Sequence, residues 1–342
     1  MNEQNRFTKD IPSLHIVRVA AVLAIVLYHA SFLINDRIGI EYPHFLFKFL
    51  YCGVDFLFVL SGFLFFYLYN NNFESGNFQK IWIFLKKRII RIVPLYELLT
   101  LGLIVFYILV PRVSNGLVLR PEVIMKSIFF WPGYTPILIV GWTLSYQLYF
   151  YALFVLFLMK PTRPLFWMVM SLSFIVGLMQ VNMFLFNYFN IEFLLGVVGA
   201  YSYIHYLKVK TPLLLSIGFL ILIGAATADI VYSNVLQNFY RVFTYGVASY
   251  FIIWGIAKIK MKESSRVTNT IKILSVSSYA VFLTSYPFMA FLSLVIFRST
   301  RFFMVEWFMI IGLAILFGFI IHRFVEQPLT SFFTLLFMSD KT

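Results

Sequence analysis

Ten runs of mainly apolar residues divide this chain, each near the ~20 residues a helix needs to cross the hydrocarbon core of a bilayer. They cover 14–34, 45–69, 92–110, 137–159, 165–180, 184–204, 213–230, 236–257, 273–297 and 304–322 of 342 residues. The weakest is 184–204, which Asn187, Asn190 and Glu192 interrupt. The first run is not a cleaved signal, because it carries Arg18 and His29 and is followed by Asn35-Asp36 instead of a small-residue cleavage site. Composition agrees: 61% of residues are hydrophobic and 12% charged, against about 45–50% and about 25% in soluble domains. A soluble enzyme and a disordered chain are both excluded. The sequence predicts an all-α, polytopic membrane bundle of about ten transmembrane helices.

The net charge of +13 would suggest nucleic acid in a soluble protein; here it reads as topology. Ten spans put both termini on one side. Assigning that side to the cytoplasm places 18 of the 27 Lys and Arg in inside segments and six outside, with Arg18, Lys48 and Arg241 within spans. That bias predicts cytoplasmic termini, since inside loops collect basic residues. Inside segment 70–91 ends in KIWIFLKKRIIR, which predicts an amphipathic basic helix lying at the interface. The outside loop 111–136 contains Pro111, Pro121, Pro132 and Pro136. Cys52 is the only cysteine, so no intrachain disulfide can form. No repeat, appended soluble domain, metal-spaced Cys/His cluster, Gly-rich phosphate loop or G-x-S-x-G elbow is present.

Ionisable residues inside a membrane are costly and mark functional candidates. Arg18 and His29 stand 11 residues apart on the first run. On a helix that is three turns plus about 20°, so both leave one face, separated by about 16 Å along the axis. The pair could hold the two ends of one long ligand. Equally, Arg18 could snorkel to headgroups and His29 could be a packing histidine. Arg88 and Arg91 share a helix face at i,i+3 and could grip a phosphate with two guanidinium forks, or touch anionic lipid. Asp55, in GVDFLFVLSGF, calls for a cation or a histidine across the bundle, and could orient His29. Gly53 and Gly62 read as close-packing positions. Glu97, Glu192, Asp229, Arg241 and Glu306 are further candidates; Asp229 and Arg241, near the ends of consecutive spans, could pair or greet a polar acceptor.

Taken together, these residues resemble the membrane-bound acyltransferase-3 family. The likeness begins at SLHIVRVAAVLAIVLYHA, where Arg18 and His29 match the family's R-x10-H. It continues through GVDFLFVLSGFLF, FLKKRIIRIVPLY with its R-x-x-R, GWTLSYQLYFY, EFLLG, YAVFLTSYP and HRFVEQPL. These blocks occur in family order over nearly the whole chain. The resemblance implies one integral-membrane acyltransferase domain over 1–342, with its core at about 12–330, in a bacterial-type cytoplasmic membrane. It implies transfer of an acyl group, commonly acetyl, from cytoplasmic acyl-CoA to a hydroxyl of a surface or exported glycan such as O-antigen or exopolysaccharide. His29 is implied as the central catalytic residue, and Arg18, Arg88 and Arg91 in donor binding; Asp55, read above as able to orient His29, is the second catalytic candidate. Acyl-CoA is a co-substrate, so no bound cofactor and no metal are expected.

Two positions depart from the family pattern. Gln147 stands where a glutamate is common, which removes ionisation but not hydrogen bonding there, and Ser285 replaces a frequent histidine. Many relatives carry a soluble esterase-like domain, and the expectation here is a chain without one. A neutral imidazole suits proton removal from a sugar hydroxyl, or acceptance of the acyl group itself. Trp131, Trp142 and Tyr146 could stack on sugar faces or serve as interface anchors. Expected partners are acyl-CoA, a glycan or lipid-linked glycan acceptor, and membrane lipids, with no nucleic acid. The alternative function is a transporter or flippase of a lipid-linked glycan, which predicts related halves with discontinuous helices; no such internal symmetry is visible.

Overall fold

A computed structural model describes residues 10–69, 78–110, 119–181, 183–206, 208–232, 239–262, 265–296 and 303–338. Arg6, Lys9, Pro111, Arg112, Arg298, Arg301 and Lys341 lie outside the described residues. All regular elements among the described residues are helical. They are α1 (Leu14–Ile38), α2 (Glu41–Phe47), α3 (Gly53–Tyr69), α4 (Phe78–Leu109), α5 (Pro121–Ile128), α6 (Trp142–Leu158) and α7 (Arg163–Leu178). There follow α8 (Phe189–His205), α9 (Thr211–Tyr232), α10 (Val247–Ala257), α11 (Arg266–Ile296), α12 (Phe303–Ile321) and α13 (Gln327–Met338). Two π-helical turns, Val242–Gly246 and His322–Glu326, lead into α10 and α13.

Among the described residues, seven of the ten apolar runs form stretches long and apolar enough to cross a membrane: Leu14–Arg37, His44–Tyr69, Ile81–Leu109, Ile139–Leu158, Thr211–Tyr232, Arg266–Ile296 and Phe303–Met338. The runs at 165–180, 184–204 and 236–257 take shorter helices. Large apolar side chains such as Leu220 (73% exposed) and Phe308 (63%) turn outward. In a soluble protein a surface of this kind would be a liability; here it is the face offered to lipid.

The basic segment expected to lie by itself at the interface is instead the first part of α4, continuous with the span that follows. Pro94 withdraws one N–H donor inside this helix without ending it. Nearby, the Tyr279 hydroxyl of α11 donates to the Ile92 carbonyl at 2.7 Å, tying α11 to this helix. Similarly, the final run does not stop near 322. It continues through the π turn to Met338, and Pro328, which has no N–H to donate, follows just after that turn.

The described residues form two compact units interleaved in sequence. The first comprises Met1–Ile25, Phe45–Asn77 and Phe150–Val276. At its centre α3 packs on α8, and the contact runs through two glycines. A Cβ at Gly62 would collide with the Phe193 carbonyl, and one at Gly196 with the Val59 carbonyl. Lipid tails are as apolar as leucine, so such close approach, with its van der Waals contact, is what drives helix association in a membrane. The 20% aromatic content fills the rest: Phe58 meets Phe150 edge-on at 5.1 Å, and Phe150 stacks on Phe193 at 4.9 Å. The asparagines that interrupt the 184–204 run make hydrogen bonds around the start of α8. Asn187 Oδ1 accepts from the Phe189 N–H at 3.0 Å, and Asn190 Nδ2 donates to Ser173 Oγ at 2.8 Å.

The second unit comprises Val26–His44, Phe78–Tyr149 and Ser277–Thr342. Tyr96, fully buried, ties α4 to the segment ahead of α6. Its hydroxyl donates to the Ser127 carbonyl at 2.9 Å, and Ser127 Oγ accepts from the Ile137 N–H at 3.0 Å. The Tyr96 ring lies so close to Gly141 that a Cβ there would come within 2.5 Å of it. These contacts fix the entry to the WTLSYQ stretch. At the other end of the unit, Lys86 on α4 donates to the Phe337 carbonyl on α13 at 3.0 Å.

Candidate active site

α1 runs without a break from Leu14 to Ile38, so Arg18 and His29 keep the one-face register and the separation of about 16 Å that helical geometry gives them. His29 is partly buried and sits among aromatic rings, with Tyr28 edge-on at 5.3 Å and Tyr286 tilted at 4.8 Å. Tyr286 was not foreseen as a site residue, although it belongs to the YAVFLTSYP block. Its neighbour Ser285 is buried and hydrogen-bonds the Phe282 carbonyl at 3.4 Å. Arg18, near the start of α1, adds its field to Asp10. The hydrogen bond from His15, at 2.9 Å, holds the Asp10 carboxyl below the usual carboxylate range, against the opposing effect of burial.

Arg88 and Arg91 lie one turn apart on α4. The Arg88 guanidinium packs over the Phe84 ring at 5.6 Å, and Arg91 is within electrostatic reach of Glu326. In the first turn of α6, Trp142 meets Tyr146 edge to face at 5.9 Å, with Gln147 next in sequence.

A separate polar cluster occupies the first unit. Asp55, with no exposed surface, receives two hydrogen bonds from Arg241: Nε to Oδ1 and Nη2 to Oδ2, both at 2.6 Å. Arg241 also donates to the Tyr51 carbonyl at 3.3 Å, and its guanidinium lies 4.4 Å from the centre of the Tyr51 ring. The cation required by Asp55 is therefore Arg241. The suggested Asp229–Arg241 pairing is not formed. Asp229 Oδ2 instead accepts from the hydroxyls of Tyr51 at 2.7 Å and Tyr245 at 2.6 Å. Arg241 immediately precedes the π turn that carries Tyr245, so one irregular stretch supplies both the cation and a phenol. Glu192, also fully buried, is electrostatically coupled to Asp55 and Arg241, and neither of its oxygens makes a hydrogen bond of good geometry among the described residues.

The structure thus gathers Asp55, Glu192, Asp229 and Arg241, and adds Tyr51 and Tyr245, which sequence reasoning missed. Tyr51 had a local signal, one helical turn before Asp55. Tyr245 had none, because nothing in the sequence announced a π turn. No group of three or more His, Cys, Asp or Glu side chains among the described residues is arranged to hold a metal ion.

Comparison with known proteins completes this picture. An acyltransferase domain matches residues 11–323. The exopolysaccharide production protein ExoZ of Rhizobium meliloti (strain 1021) is 35% identical over 116 residues, which is 32% of this chain and 34% of that protein. The chain therefore matches about a third of the length of this curated relative. No solved structure matches. With a domain match that reaches from three residues ahead of α1 into the last π turn, and a bundle of apolar helices to carry it, the chain is a multi-pass membrane protein of the acyltransferase-3 family.

Proposed function

We propose that this protein is a membrane O-acyltransferase that moves an acyl group, acetyl in the first instance, from cytoplasmic acyl-CoA to a hydroxyl of an exported exopolysaccharide. The observation that carries the proposal is the arrangement on α1, with Arg18 near the basic end and His29 three turns further on, on one face of an unbroken helix. The pantetheine arm of CoA has a length comparable to that separation. Arg88 and Arg91 supply the guanidinium forks suited to CoA phosphates. The excess of basic residues in the segments assigned to the inside supports a donor arriving from the cytoplasm. The exopolysaccharide acceptor is suggested by the Rhizobium relative, an exopolysaccharide production protein.

In the reaction, the neutral imidazole of His29 takes the proton of the sugar hydroxyl as its oxygen attacks the thioester carbonyl. The new carbon–oxygen bond forms as the carbon–sulfur bond breaks, and the imidazolium returns the proton to the departing thiolate. The test is acetyl transfer by protein purified into lipid nanodiscs, read as CoA release and as the mass of one acetyl group on the polysaccharide. General acid–base groups typically contribute about 10²–10⁴-fold, so His29→Ala should lose at least about 10²-fold while still inserting and folding. Undiminished transfer by that variant would remove His29 from the chemistry.

A further inference from the structure

Within the second unit, the outer half of α1 carries a polar and aromatic stripe that the mechanism has not used. Tyr28, Phe32 and Asp36 follow one another at i, i+4 and i+8, and with His29 they leave the helix inside an arc of about 100°. Asp36 stands about 10 Å beyond His29 along the axis, toward the end assigned to the outside. A second histidine, His44 of α2, lies against this stripe. Its ring centre is 6.2 Å from that of Tyr28 and 6.0 Å from that of Phe32, edge-on to the latter. Tyr28 in turn meets His29 edge-on at 5.3 Å. The four rings therefore form one connected group, His29–Tyr28–His44–Phe32. Unlike the sealed cluster around Asp55, this group is open. Phe32 is 40% exposed, and Tyr28, His29 and His44 are each partly exposed. Past them Asp36 is exposed, with its nearest cation, Arg37, at 3.8 Å.

Lipid tails need only an apolar face, and an imidazole set between two aromatic rings on a stripe that ends in a carboxylate is more than that. Small-molecule sites combine aromatic walls with a few placed polar groups. A sugar ring has the matching form: one face of C–H groups, which an aromatic ring can cover, and an edge of hydroxyls, which imidazole and carboxylate can bind. We propose that Tyr28, Phe32 and His44 form the subsite for the acceptor sugar, with the two aromatic rings on its C–H face and His44 on one of its hydroxyls. A second hydroxyl of a sugar held there is next to His29, and Asp36 lies where the rest of the glycan leaves. The inference rests on reading His29 as the base of acyl transfer, and it names the residues that bring the hydroxyl to it.

The experiment uses the full chain in nanodiscs, with acetyl-CoA as donor and, as acceptor, oligosaccharides of the exopolysaccharide stripped of acetyl by mild alkali. KM for each substrate is measured in wild type, F32A, F32W, H44F and the lipid-facing control F308A. One aromatic contact, or one neutral hydrogen bond, corresponds to about a two- to tenfold change in affinity. F32A and H44F should each raise KM for the acceptor by about that factor and leave KM for acetyl-CoA within about twofold of wild type. F32W keeps a ring at this position and should restore the acceptor KM, and F308A should change neither constant. An unaltered acceptor KM in F32A or in H44F, as expected of rings that only anchor the helix in lipid, overturns the proposal. So does an equal rise in KM for both substrates. If F32A does not fold, H44F decides alone. Wild-type protein that moves no acetyl to this acceptor, or undiminished transfer by His29→Ala, overturns the functional reading and this inference with it. Transfer that depends on His29 but whose acceptor KM ignores F32A and H44F overturns the inference only.

Discussion

Arg241 is held in a medium that penalises its charge, and Asp55 makes that position tenable. Both guanidinium–carboxylate hydrogen bonds are short, and the aspartate has no contact with solvent. Breaking a buried pair by removing one partner costs about 3–5 kcal/mol, because the other charge is left uncompensated. Arg241→Leu should therefore lower the thermal midpoint in detergent markedly. The double variant R241L/D55L should recover much of that loss, since neither member of the pair is then left stranded without the other. A midpoint for R241L equal to wild type, or a double variant worse than the sum of the single ones, would show that the pair does not act as a unit. The need for a cation opposite Asp55 was legible from the sequence, because an intramembrane carboxylate cannot stand alone. Its identity was not legible. The partner lies 186 residues away and Asp229 was the nearer candidate, yet the two phenols that satisfy Asp229 come from α9's neighbours in space.

At the scale of elements, apolar run length located the helices well and their ends poorly. The basic stretch before 92 reads as a separate surface helix because charge interrupts the apolar run. The backbone is indifferent to that interruption and carries α4 through it. Asn187 and Asn190, by contrast, mark a real interruption: α8 begins only at Phe189, whose N–H the Asn187 side chain accepts, and the 184–204 run forms no full-length span among the described residues. Packing between elements is where sequence reading of Gly62 succeeded. Its partner Gly196 lies in the EFLLG block, and the two glycines bring α3 and α8 into backbone contact. Gly62→Ala should force these helices apart at a cost of about 1–3 kcal/mol. Gly224→Ala is the control: nothing lies within 4 Å of a Cβ there, so it should be neutral or stabilising by up to ~1 kcal/mol through helix propensity. Equal midpoints for the two variants, measured by thermal unfolding in one detergent, would count against a close-packed crossing.

Across the whole molecule, class and family were legible early, because composition and the order of motif blocks do not depend on how helices pair. Orientation rests on the distribution of basic residues and makes a direct forecast. Cys52 is the sole cysteine and is buried, so Cys52→Ala supplies a clean background. A cysteine placed at Lys262 should react with an impermeant thiol reagent only after the cytoplasmic face is opened, whereas one at Glu122 should react in intact cells. The reverse pattern would invert the topology and move the donor side with it. Both positions are exposed, so access to reagent is governed by side and not by burial.

The continuity of α4 has a further consequence. At 32 residues the helix is about 48 Å long, well beyond the ~30 Å of a hydrocarbon core. Its basic end, with Lys87, Arg88 and Arg91, is thereby carried out to the level at which lipid phosphates gather. On the proposed reading of Arg88 and Arg91 as the donor site, headgroup and acyl donor would present the same chemistry to the same guanidinium groups. Affinity for acetyl-CoA measured in nanodiscs would then fall as the fraction of anionic lipid rises, so the cell's lipid metabolism would help to set it.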